Sequence, residues 1–113
     1  MAKRSVVVAG LPLPGGPYSQ VMVAGGFVFT AGLSPRSPSA GEIPQGIVAQ
    51  TERVLDNLEL ALASVGAGLA DLVKTTVHLS DLARDFAAFN EAYRRRVPEP
   101  FPVRTTVGSI LVG

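Results

Sequence analysis

The sequence predicts an α+β domain, and three observations carry that prediction. Two β-rich runs flank a Gly-Gly pair, two stretches have helical apolar spacing, and a β-branched run follows each helix. The resulting order is strand, hairpin, helix, strand, helix, strand. It predicts a mixed sheet with two helices on one face, which leaves the other face for a partner chain to cover.

The elements follow in order. Val6-Val7-Val8 reads as the first strand, ended by Gly10, and a Pro/Gly-rich loop from Leu11 to Pro17 leads into Tyr18-Ser19-Gln20. Val21–Ala24 and Phe27–Ala31 flank Gly25-Gly26, a hairpin signal because both central residues can take positive φ. A loop from Ser34 to Pro44 carries three prolines. A helix is predicted from about Gly46 to Val65. Ile47, Thr51, Val54, Leu55, Leu58, Ala61, Leu62 and Val65 mark its buried face, and Gly66 stops it. Leu72–Leu79 reads as a strand. The second helix spans about Asp81 to Val97, with Leu82, Phe86, Phe89, Tyr93 and Val97 as its stripe and Asp85 a candidate cap. The last strand begins near Val103.

Composition narrows the function classes. A chain of 113 residues supports one domain with one core. It has no cysteine, which excludes thiolate metal sites and cysteine nucleophiles, and one histidine, His78, which excludes a His-rich metal cluster. A net charge of +1 with 17% charged residues gives no electrostatic case for nucleic acid or a membrane surface. The apolar runs are too short to span a bilayer, and the start Met1–Ser5 lacks a secretory pattern, so the cytoplasm is expected. With 47% hydrophobic residues against those few charges, association through apolar faces is also expected.

The richest stretch is Phe101-Pro102-Val103-Arg104-Thr105-Thr106-Val107. Pro102 biases Phe101 to extended backbone, and alternation puts Arg104 and Thr106 on one strand face. An arginine on a half-buried face calls for an anion, and its planar fork suits a carboxylate. An edge arginine in a structural ion pair has the same pattern. Other features read as structural. His78 stands near a strand end, and Asp56, Glu59, Asp71, Asp81 and Asp85 read as solvated faces or caps. Arg94-Arg95-Arg96 complement the second helix's macrodipole. Tyr18 follows Pro17 in a rigid loop, and Asn90 stands at the edge of the Phe86/Phe89 stripe. No glycine pair has phosphate-loop spacing, so no nucleotide cofactor is expected.

Six blocks taken together resemble the reactive intermediate deaminase (RidA, YjgF-like) family. They are Gly16–Gln20, Thr30-Ala31-Gly32, Ala49–Leu58, Val73–Val77, Phe89–Tyr93 and Phe101–Arg104, and they cover nearly the whole chain in the family's order. The resemblance implies a chorismate-mutase-like fold, a homotrimer with clefts between subunits, and no cofactor or metal. It implies hydrolysis of 2-aminoacrylate-type enamines and 2-imino acids to 2-oxo acids and ammonia. Arg104 matches the substrate-carboxylate position, and Tyr18, Gly32 and Asn90 match other cleft positions. Thr106, on Arg104's strand face, is assigned to holding the water. The barrier is modest because such imines already hydrolyse in water, so orientation and electrostatics can suffice.

The sequence also departs from the family pattern. Ala31 and Thr106 stand where well-studied deaminases have serine and cysteine. The family continues for about another strand with an acidic residue that positions water. Here the chain reads as one domain over residues 1–113 ending at Gly113, with no carboxylate in Ser109–Val112. A weakened trimer and impaired catalysis are expected from that ending. The departures keep open a non-catalytic trimeric module that binds a small metabolite. A ribonuclease reading would rest on Arg94-Arg95-Arg96 and require salt-sensitive RNA binding.

Overall fold

A computed structural model describes residues 2–39 and 41–112. Met1 and Gly113, on which the readings of the chain's two ends rest, lie outside the described residues. The elements are β1 (Arg4–Val6), β2 (Val21–Ala24), β3 (Phe27–Thr30), α1 (Ile47–Ala63), a 3₁₀ turn (Leu69–Asp71), β4 (Lys74–Leu79), α2 (Leu82–Arg96) and β5 (Val103–Gly108). Among the described residues there are two α-helices, as expected. The strands form two sheets: an antiparallel β1-β2-β3 sheet and a parallel β4-β5 pair. Among the described residues no strand joins the two.

Local chemistry accounts for the elements and for where they depart from expectation. The first strand lies earlier than Val6-Val7-Val8 because the Val8 amide donates to Gln20 Oε1 at 2.6 Å and leaves the ladder. Gln20 Nε2 donates onward to the Pro12 carbonyl at 2.6 Å, so one buried side chain fixes the loop that leads to Tyr18. Gly25 and Gly26 have φ of 58° and 80°, the geometry a two-residue hairpin turn needs. Asp81, not Asp85, caps α2. Its backbone is still non-helical and its Oδ1 accepts from the Arg84 amide at 3.2 Å. Asp85 lies within the first turn, where the hydrogen bond from Arg84 holds its carboxyl below the usual carboxylate range.

α1 packs against both sheets, and α2 packs against α1 and the β4-β5 pair. Leu55 of α1 meets Leu79 of β4, Phe89 and Tyr93 of α2, and Val97 just after it in the main core. A second cluster joins Ala61 of α1 to Val8 and Val21, with Val6 and Val28 against it. The opposite faces carry Phe27 and Phe29, 59% and 58% exposed, and Val103. Arg96 does not simply solvate the helix end. It crosses to α1, reaching Asp56 Oδ1 at 2.9 Å, Glu52 Oε2 at 3.5 Å, and Glu59. Burial works against its charge, and the hydrogen bonds to Glu59 and Asp56 outweigh that, leaving its pKa raised. Asp56 and Glu59 are thus interhelical partners rather than merely solvated. Among the described residues no helix is long and apolar enough to cross a membrane.

Candidate functional site

The β4–α2–β5 unit builds the site. Parallel pairing sets Arg104 opposite Thr75 and Thr106 opposite Val77, and both β5 side chains fall on the partly buried face towards α2. There Arg104 meets the aromatic stripe of the helix. Its guanidinium carbon lies 4.8 Å from the Tyr93 ring centroid, 5.4 Å from that of Phe89 and 5.9 Å from that of Phe86. These distances suit cation–π attraction, which strengthens where water is excluded. Arg104 Nη2 donates to Asn90 Oδ1 at 2.6 Å, which fixes one edge of the fork. Tyr93 is itself held, its hydroxyl 2.8 Å from Thr75 Oγ1 and its ring 5.6 Å from that of Phe89.

The guanidinium is therefore positioned by neutral groups alone. Among the described residues no carboxylate pairs with Arg104. It lines a cavity of about 380 Å³ with Asn90, Tyr93, Arg94, Phe101 and Pro102. A fixed, partly desolvated cation facing a cavity without an internal anion is suited to binding a carboxylate.

The predicted residues divide into two groups. Arg104 and Asn90 come together in this cavity, and Thr106 shares the strand face two residues on. Tyr18 and Gly32 do not line it. Tyr18 is 56% exposed and borders a separate cavity of about 140 Å³ with Ser5, Val6, Val7, Pro14, Ser19 and Gln20. Gly32 is exposed in the loop after β3, with open space where a Cβ would stand. The sequence places Phe86, Phe89 and Tyr93 on the apolar stripe of the second helix and does not pair them with Arg104. The signal for their second role was Asn90 beside them on the helix and an unpartnered strand arginine.

Comparison with known proteins gives a consistent picture. The sequence profile described as endoribonuclease L-PSP matches residues 9–112. A RutC family protein of Pyrococcus abyssi is 45% identical over 108 residues, 95% of this chain and 84% of the relative. The 2-iminobutanoate/2-iminopropanoate deaminase of Escherichia coli is 35% identical over 107 residues, 92% of this chain and 83% of that enzyme. Among solved structures, Escherichia coli TdcF with bound serine superposes with a TM-score of 0.88 at 31% identity, covering 98% of this chain and 88% of that one.

Proposed function

The chain belongs to the RidA (YjgF-like) family, and on that premise we propose that it hydrolyses 2-imino acids and their enamine tautomers to 2-oxo acids and ammonia. The observation that carries this reading is Arg104, held by Asn90 and three aromatic rings at a cavity where no protein carboxylate meets it. Its fork takes the substrate carboxylate and thereby fixes the adjacent C2. Water adds to the C=N carbon, giving a tetrahedral amino alcohol. Its C–N bond then breaks, the nitrogen leaves as ammonia and the carbonyl forms. The names of the Escherichia coli deaminase and of the serine-bound TdcF support a small carboxylate-bearing ligand.

In this reading Arg104 anchors and orients the substrate, and the Thr106 hydroxyl helps hold the water. Tyr18 and Gly32 stand outside the cavity within one protomer, so we assign their contribution to a neighbouring protomer in a homotrimer. The exposed Phe27, Phe29 and Val103 on the uncovered sheet faces support such an assembly.

A second reading is a trimeric module that binds a 2-oxo acid without turnover. The observation favouring it is that, among the described residues, no carboxylate lines the Arg104 cavity to act as a base. An endoribonuclease role gains less support. The Arg94-Arg95-Arg96 run does not form one free cationic tract, since Arg96 is taken up by α1 carboxylates and Arg94 lies 3.6 Å from Glu91.

The deciding experiment generates 2-imino acids with an amino-acid oxidase and lets semicarbazide compete for them. Wild-type protein should divert the imine, and Arg104→Ala should match the protein-free control. If wild type also matches the control while still binding 2-oxobutanoate, the binding-module reading replaces the enzyme.

A further inference from the structure

We infer that the Arg104 cavity takes ligands with two anionic groups, and that Arg94 is the residue that selects for the second. This rests on the reading of Arg104 as a carboxylate anchor. In substrate terms the preferred class is the 2-imino dicarboxylates, which carry a distal carboxylate besides the one next to the imine.

Among the described residues, two arginines and no acidic residue line the cavity. They differ in setting. Arg104 is partly buried and fixed by Asn90 and three rings. Arg94 is 58% exposed, and its guanidinium makes one loose ion pair, Nε to Glu91 Oε1 at 3.6 Å. An exposed i,i+3 pair at that distance is weak and readily exchanged for a ligand's anion.

Helix geometry sets the spacing. Asn90, which touches Arg104, and Arg94 are four residues apart on α2 and so share one edge of the helix. One turn is about 5.4 Å along the axis, comparable with the span between the carboxylates of a five-carbon dicarboxylate. A ligand anchored on Arg104 beside Asn90 and extended along the helix therefore brings its far end to Arg94. Phe101, Pro102 and Tyr93 line the same cavity and supply its apolar surface.

The test compares the semicarbazide competition for the imine of glutamate with that for the imine of alanine, each generated by its own oxidase. The readout is the ratio of the two rates. Wild type should favour the dicarboxylate imine, and Arg94→Ala should lower the ratio about three- to fivefold, the scale of an exposed ion pair. Arg94→Glu should lower it further and Arg94→Lys should keep most of it. Added salt should lower the ratio in wild type and not in Arg94→Ala. Arg94→Gln, which keeps part of the stem, replaces the alanine variant if that one does not fold. Equal ratios in wild type, Arg94→Ala and Arg94→Glu would overturn the inference while leaving the deaminase reading intact. If wild type turns over neither imine, the deaminase reading fails and calorimetry decides the inference. Tighter binding of 2-oxoglutarate than of 2-oxobutanoate, lost in Arg94→Ala, upholds it. Equal binding, or none, overturns it.

Discussion

Arg104 donates to Asn90 Oδ1 at 2.6 Å, across from the last strand to the helix that precedes it. The bond uses one N–H of a fork that has five, so it fixes the direction of the guanidinium without neutralising it. A carboxylate in Asn90's place would do the opposite.

The first prediction follows from that contrast. Asn90→Ala leaves the cation in place but less fixed, and should raise KM for a 2-imino acid or weaken 2-oxo acid binding by about tenfold, the worth of a hydrogen bond to a charged group. Asn90→Asp keeps the hydrogen bond and supplies an internal anion. It should weaken binding more than the alanine variant, because the substrate carboxylate must now compete for Arg104. Calorimetric titration of 2-oxobutanoate into both variants checks the order, and Asn90→Asp binding as well as wild type would contradict it.

A second prediction concerns what holds the aromatic platform. Tyr93 is buried, and its hydroxyl and Thr75 Oγ1 are 2.8 Å apart. Thr75→Val and Tyr93→Phe should each cost about 1–2 kcal/mol, since each leaves one polar partner unsatisfied. The double variant should cost clearly less than the sum, because neither group is then orphaned. Urea unfolding of the four proteins gives the cycle directly. Simple additivity would mean that the hydroxyls do not depend on each other.

Asn57 makes a third. It is buried on α1 and its Nδ2 donates at 3.0 Å to both the Ser34 and Arg36 carbonyls, which ties down the loop after β3 that carries Gly32. Asn57→Ala should cost about 1–3 kcal/mol, the penalty for buried groups left unpaired. Its local signature should be faster amide exchange across residues 32–37. Asn57→Leu, which fills the space without donating, should not restore protection.

These residues show which parts of the molecule could be read from sequence. Arg104 was legible because Pro102 fixes the strand's start and alternation fixes the side chain's face, both local effects. Asn90 was legible as the boundary of an apolar stripe. The platform was not, because Phe86, Phe89 and Tyr93 have the same helical spacing whether they fill a core or carry a cation. Separation of the strands into two sheets was hidden for a similar reason. Periodicity identifies strands, while their pairing depends on crossovers that no local pattern encodes. The first strand lies earlier than its valine run because Gln20, distant in sequence, takes the Val8 amide out of the ladder.

In the sequence Arg94-Arg95-Arg96 form a single cationic helix end, yet about 100° of rotation per residue sends its members to different neighbours. Arg94 borders the Arg104 cavity, while Arg96 gathers Glu52, Asp56 and Glu59 of α1. Those three carboxylates lie within two turns of one helix, so removing Arg96 leaves like charges facing one another. The Arg96→Met variant keeps the apolar stem and deletes only the charge. It should be destabilised by about 1 kcal/mol at low ionic strength, the scale of a small network of partly exposed pairs. Salt should then act in opposite directions. It screens an attraction in wild type and a repulsion in the variant, so wild-type stability should fall and the variant's should rise as salt is added. Denaturation at two ionic strengths distinguishes this from lost packing, which would leave the difference between the proteins unchanged by salt.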